Sequence, residues 1–248
     1  MQDARGDVAW DVLAGLTSEV GPRMPGSEAE ARARTWAEAR LKALGFSKVA
    51  VEPFRIRGYV RGRDEASLLA PIPFKLAVTA LGYSGTTTDK GIEGEVVYFP
   101  TLDALKAAPA GSLAGKIAFI DHAMKRAQDG SGYGPYGQVR RAGPAIASGK
   151  GAMGAVIRSI GTDSHRNPHT GGTTFADGVK PIPAGAVSNP DADLIARIAR
   201  SGKSIRLNLT LTGNSRGAGI LVVTGNLDVL GNFEFDGVIV VLGNLVNS

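Results

Sequence analysis

Cysteine is absent from the 248 residues, which excludes disulfides and thiolate metal sites and leaves the redox compartment open. Histidine is scarce: there are three, His122, His165 and His169, and none after position 169. No apolar run approaches the ~18 residues of a membrane span, and the opening MQDARGDVAW lacks the apolar core of a signal peptide. Aromatic residues make up 6% of the chain, and no Lys/Arg run is interleaved with them. The formal charge of +5 is scattered over Arg32, Arg34 and Arg40, then Arg61 and Arg63, then Arg140 and Arg141. That pattern gives no nucleic-acid surface, which needs basic and aromatic residues together.

Glycine is the residue in excess. Its 34 positions are roughly twice the usual ~7% share, and they gather in loops and in the last thirty residues.

Taken in order, Trp10, Leu13, Leu16 and Val20 recur at helical spacing and predict an amphipathic helix over 8–20, stopped by Gly21-Pro22. Ser27-Glu28-Ala29-Glu30 is a capping box, in which Ser27 accepts from the first free N–H groups and Glu30 reaches back. The helix it opens is expected to run to about Leu44, burying Ala33, Trp36, Ala37, Leu41 and Leu44, with Gly45 ending it. A strand is expected over 48–54, and a Gly/Arg/Pro-rich connection over 58–75. Short strands follow near 76–81, 94–99 and 116–120, with a small helix at 101–105. The stretch 130–137, GSGYGPYG, reads as a glycine-tyrosine loop before a helix at 138–149. Residues 181–184 read as an extended edge, Pro190 as a first helical position, and 205–211 as an antiparallel strand with one wet face.

The chain is organised around 151–172, GAMGAVIRSIGTDSHRNPHTGG. Ala155-Val156-Ile157 reads as a buried strand feeding a polar loop with Arg158, Asp163, His165, Arg166 and His169. A loop on a rigid strand is where binding chemistry tends to sit. Pro168 prevents the helical spacing that would aim His165 and His169 at one metal ion, so a hydrogen-bonded polar loop is the expectation. Tyr133 and Tyr136 either contact a peptide or cover a turn. Asp121-His122 reads as the end of a strand, with no serine nucleophile arranged beside it.

Six segments carry a resemblance: GPRMPGSEAEARARTWAEARLKALGF (21–46), PAGSLAGKIAFID (109–121), DGSGYG (129–134), RRAGPAIASGKGA (140–152), IRSIGTDSHRNPHTGG (157–172) and IPAGAVSNPDADLIARI (182–198). Together they resemble the N-terminal segment and protease-associated domain of family-28 zinc metallopeptidases of the aminopeptidase and carboxypeptidase Q type. The resemblance covers about 5–212. It implies a peptidase whose two zinc ions sit in a doubly wound α/β domain, held by a His of an HxD motif, a bridging Asp, a Glu beside a general-base Glu, a further Asp and a further His. It also implies export, and a protease-associated domain over the cleft, where Arg158 or Arg166 would meet a substrate carboxylate.

The zinc pattern is not matched here. Where the first motif is expected the sequence reads ILVVTGNLD (220–228), and Asn226 stands in the histidine position. Without histidines beyond His169 no cofactor is expected in this chain, although zinc belongs to the resembled family. The tail repeats instead: Val222-Val-Thr-Gly-Asn-Leu227 returns as Val240-Val-Leu-Gly-Asn-Leu245, an offset of 240 − 222 = 18 residues. A fixed period near 20 with Gly-Asn turns is the mark of a parallel β-solenoid coil.

The expected architecture is therefore α/β in three parts. Residues 1–64 would be a two-helix-and-strand remnant of a catalytic α/β domain. Residues 65–213 would form the protease-associated domain, β-rich with flanking helices, and 214–248 a glycine-rich β-repeat tail. The function expected is substrate access or protein interaction, without catalysis. The alternatives are a fragment or subunit of an active zinc exopeptidase, and an oligomerising structural β-repeat. Expected partners are peptides or proteins, with self-association through the tail, and neither nucleic acid nor a membrane span.

Overall fold

The structure is a computed structural model describing residues 7–52, 61–213, 216–223, 227–229, 234–241 and 245–247. It divides into two compact units, Met1–Tyr59 and Val60–Ser248.

The first unit is helical. Helix α1, Val8–Gly15, is capped by Asp7, whose carboxylate accepts from the Trp10 N–H, and it continues as a π-turn over Leu16–Val20. Helix α2, Glu28–Ala43, starts as the sequence indicates, with Ser27 Oγ accepting from the Glu30 N–H at 3.2 Å. Only this half of the capping box forms: Glu30 turns instead to Arg34 one turn on, at 2.8 Å. Gly45 ends the helix at φ +91°, a conformation that L side chains resist.

Two expectations fail in this unit. No residue of α2 is buried, because its apolar positions are interrupted by arginines and the stripe finds no second layer inside the unit. Residues 48–52 form no strand, and 53–54 lie outside the described residues.

The second unit is built on an eight-stranded sheet in the order β2-β1-β8-β4-β5-β6-β7-β3. Its strands are β1 Asp64–Ala70, β2 Phe74–Leu76, β3 Val78–Ala80, β4 Ile92–Phe99, β5 Ile117–Ile120, β6 Gly154–Arg158, β7 Ala184–Val187 and β8 Arg206–Leu211. Strands β4 to β7 are mutually parallel, and the others pair antiparallel. The two ends of the order, β2 and β3, are consecutive in the chain with only Ala77 between them. The sheet therefore curls until one bent strand serves both edges, and it is nearly closed. Such corners are a general way to remove sheet edges.

Because the parallel strands are covered on both faces, they read as unbroken apolar runs. Ile117, Phe119, Val156 and Val187 face inward with Leu207, Leu209, Leu211 and Ile195. Ala118, Ile120, Ala155, Ile157 and Ala184 face the other way, against α3 (Leu102–Ala107) and α4 (Tyr133–Gly149). Helix α5, Asn189–Arg200, packs Ala192, Ile195 and Ala196 into the inner core. Each fully buried side chain of this kind contributes about 1.5–3 kcal/mol.

Three further expectations change here. The connection over 58–75 contains β1, which its arginines and prolines conceal; Ala66 and Leu68 carry the inward face. The glycine-tyrosine loop is partly helix, since α4 begins at Tyr133. Residues 181–184 are not an edge: β7 starts at Ala184 and lies between β6 and β3.

In the tail, β9 (Arg216–Val223) pairs parallel with β11 (Glu234–Val241), and β10 (Leu227–Val229) pairs with β12 (Leu245–Asn247). The partners Arg216 and Glu234, like Leu227 and Leu245, are 18 residues apart. Asn226 lies outside the described residues.

Candidate functional site

The carboxyl ends of β5, β6 and β7 meet the first turn of α5, and at this meeting point an open cavity of about 270 Å³ is lined by Ala123, Met124, Arg126, Arg158, Gly161, Thr162, Asp163, Asn189 and Asp193. Carboxyl ends of parallel strands are where open α/β sheets hold ligands, because the loops diverge there and helix N-termini point in. The floor is an ion cluster. Arg158, 7% exposed at the end of β6, donates through Nε to Asp121 Oδ1 at 2.7 Å and through Nη2 to Asp193 Oδ1 at 2.7 Å. Its Nη1 reaches the Asn189 carbonyl at 3.3 Å.

Asp121, 4% exposed at the end of β5, accepts in addition from the Tyr98 hydroxyl at 2.8 Å. Arg200 lies 3.5 Å from its second oxygen. Burial pushes the Tyr98 phenol above its ordinary value; the Arg200 hydrogen bond opposes this and the Asp121 contact adds to it. Two neighbouring strands thus end in opposite charges, and each of the three guanidinium nitrogens has a protein partner.

The other residues singled out in the sequence fall into separate groups. Arg166 donates to Asp191 through Nε at 3.1 Å and Nη2 at 3.0 Å, and to the Lys75 carbonyl at 2.9 Å. Its guanidinium lies 5.4 Å from the centre of the Phe74 ring. Asp191, 3% exposed, also accepts from the Ala77 N–H at 2.6 Å, while Ala77 O accepts from the Ser188 N–H at 3.0 Å. Arg166 and the start of α5 therefore clamp the corner where β2 becomes β3. Both arginines of the loop meet carboxylates, and all three carboxylates, Asp121, Asp193 and Asp191, are the protein's own.

His169 stacks on Tyr133 with ring centres 5.6 Å apart, and Arg140 donates to the Tyr133 hydroxyl at 3.0 Å. The Arg140 side chain packs over Gly171, where a Cβ would lie 2.8 Å from its Nε and make it shift. Tyr136 packs edge-on against His122 at 4.9 Å. Nδ1 of His122 accepts from the Leu102 N–H at 3.2 Å, and burial holds its pKa below the ordinary histidine value. Asp163 is hydrogen-bonded by Asn189 Nδ2 at 3.2 Å, with His165 beside it. His165 and His169 are not brought onto a common point by these contacts.

Asp121, Asp193, Asn189 and Tyr98 are the site residues that reading the loop alone misses. The signal for Asp121 was present: IAFI-Asp and GAVI-Arg are apolar runs that each end in a charge. A second cleft, lined by Glu19, Val20, Ala31, Arg32, Thr35 and Trp36, lies in the helical unit. Among the described residues no three of His, Asp or Glu converge as metal ligands. The described donors thus do not fit a zinc centre, since the buried carboxylates are neutralised by guanidiniums. No described helix is long and apolar enough to cross a membrane.

No family model matches the chain. Carboxypeptidase Q of Homo sapiens is 31% identical over 237 residues, which cover 89% of this chain and 49% of that protein. Carboxypeptidase Q of Bos taurus is 32% identical over 207 residues, covering 84% and 42%. Among solved structures, the peptidase M28 precursor of Shewanella amazonensis SB2B superposes with a TM-score of 0.80 at 41% identity, over 89% of this chain and 53% of that one. BSAP, a zinc aminopeptidase from Bacillus subtilis, shares the fold at a TM-score of 0.53 and 14% identity, over 88% and 50%. The chain spans about half the length of the curated relatives it matches.

Proposed function

Because the chain is homologous to carboxypeptidase Q and to a family-28 peptidase, we propose that it is the non-catalytic portion of a zinc exopeptidase of that family. In this reading residues 65–213 act as a protease-associated domain, governing substrate access or protein interaction, in an exported protein. The observation that supports it most is the engagement of Arg158 by the protein's own carboxylates. A buried guanidinium held by Asp121, Asp193 and a carbonyl is a structural tie. The described acids and histidines form no ligand set for a metal, so no bond-breaking step is assigned to them.

The test is zinc content and dipeptide hydrolysis on one zinc-supplemented preparation of the chain. Absence of both is expected. Two zinc ions per chain with turnover would overturn the reading in favour of an active zinc exopeptidase.

A second reading rests on a separate observation, the in-register parallel pairing of β9 with β11 at an 18-residue offset. Repeats of this kind stack on neighbours, so the tail would serve as a self-associating edge. Discrete assemblies in sedimentation that vanish on deleting 214–248 would support it, and a monomer with the tail intact would end it.

A further inference from the structure

We propose that the exposed loop between β5 and α4 carries a proteolytic processing site, the Arg126–Ala127 bond, for a serine protease that selects basic residues, and that the sheet unit cut there stays together. The inference goes beyond the accessory role and does not depend on it.

The first ground is access. Residues 122–132 hold neither helix nor strand, and 125–131 are all exposed. The backbone there is tied at few points. The Lys125 N–H donates to the Tyr136 hydroxyl at 3.2 Å, the Ser131 N–H to Asp129 at 3.0 Å, and the Gly130 carbonyl accepts from the Tyr133 N–H at 3.1 Å. Among the described residues no hydrogen bond involves Arg126, Ala127 or Gln128. Backbone of this kind opens at small cost, and cleavage of a native chain tracks the population of the open form. Loop tips of small and polar residues are where nicking concentrates, and Ala-Gln-Asp-Gly-Ser-Gly follows Arg126.

The second ground is selectivity. Lys125 and Arg126 are adjacent, exposed and without an ion-pair partner among the described residues. A protease pocket floored by a carboxylate takes such a side chain. The other irregular segments of this unit hold their basic residues more tightly. Arg166 is bound to Asp191, Lys90 sits in a turn closed by the Gly91 N–H on the Thr88 carbonyl at 2.9 Å, and Lys203 lies in the short connection 201–205 between α5 and β8.

The third ground is what the cut leaves. Hydrolysis breaks the Arg126–Ala127 C–N bond: water gives a hydroxyl to the Arg126 carbonyl carbon and a proton to the departing nitrogen, and transfer of the acid's proton leaves a carboxylate and an ammonium. Strands β1 to β5 then belong to one piece and β6 to β8 to the other. The two interleave, with β8 between β1 and β4, β6 on β5 and β7 on β3, so four strand pairings cross the cut. Both flanks are anchored, by the buried Ile117–Ile120 and by Val139, Pro144 and Ala147 of α4. Met124 and Arg126 line the cavity, so cleavage frees that wall while the core holds.

The experiment is limited digestion of the full chain with trypsin under native conditions, followed by intact mass and by gel filtration. Within 61–213 the first cut is expected after Arg126 or Lys125, and the pieces should co-elute until denaturant is added. Subtilisin, which does not require a basic residue, should open the same loop. Replacing both residues, Lys125→Gln with Arg126→Gln, should abolish the tryptic cut with unchanged melting. A first cut elsewhere in 61–213 with either protease, or pieces that part without denaturant, overturns the proposal. The order of cleavage in the unaltered chain decides the matter even if the double variant fails to fold.

Discussion

The helical unit and the curled sheet unit carry similar apolar patterning and treat it in opposite ways. In the sheet unit Phe119, Ile117, Ile157, Leu207 and Leu209 are at most 1% exposed. Among the described residues 7–52 only Gly15 and Val20 are buried, and Trp10 is 65% exposed, Phe46 59% and Leu13 54%. A periodic stripe states that a helix has a side to bury. It does not supply the layer to bury it against, and two helices without a sheet cannot make one. The lesson extends to charge. In the sheet unit Asp121 and Arg158 are enclosed and committed to each other, whereas the helical unit's pairs, such as Arg34 with Glu30, lie in solvent, where they contribute little.

The largest effect that would test this contrast comes from the buried ion cluster. Asp121→Ala leaves the Arg158 guanidinium enclosed without its main partner, and removing one member of a buried pair costs about 3–5 kcal/mol. Urea unfolding should show that loss. A change below about 1 kcal/mol would mean that Asp193 and solvent suffice, and the cluster would not be the tie described here.

A paired truncation sharpens the comparison. Leu209→Ala, in the inner core, should cost about 2–5 kcal/mol, and Leu13→Ala, on the exposed face of α1, within about 0.5 kcal/mol. Equal losses by thermal and chemical denaturation would show that something covers Leu13 in solution.

The smallest effect concerns His122, in the sheet unit. Burial lowers its folded pKa, so the unfolded chain binds the proton more readily. Stability contributed by the neutral ring is complete above the unfolded value of about 6.5 and is lost as pH falls from there through the lower folded pKa. Protonating Nδ1 also removes the acceptor of the Leu102 N–H at the start of α3. His122→Asn should flatten the decline in melting temperature on acidification below pH of about 6.5. An unchanged pH profile would assign the decline to other groups.

Local chemistry was legible wherever the cause was local. Ser27 caps its helix through its hydroxyl, Gly45 ends α2, and the apolar runs at 117–120 and 154–157 are strands buried on both faces. The loop after β6 was also legible as a cluster of polar side chains. Its partners were not, because Asp121 is 37 residues from Arg158, Asn189 is 26 from Asp163, and Asp191 is 25 from Arg166. Strand β1 was missed because its pairing with β8 spans most of the unit, from Asp64 to Leu211, and short-range periodicity carries no trace of such a pairing.

The sequence by itself determined how α2 starts and ends, that 117–120 and 154–157 are buried strands, and which residue types line the loop, since propensity, capping and apolar period act over a few residues. Only the tertiary structure decided that one bent strand closes the sheet at Ala77, and that Arg158 is tied to Asp121 and Asp193. The cavity lined by Asp163 and Asn189 likewise exists only because three strand ends and a helix start converge there. Such features follow from which distant groups the folded chain brings within 3 or 4 Å, the range over which hydrogen bonds and ion pairs act.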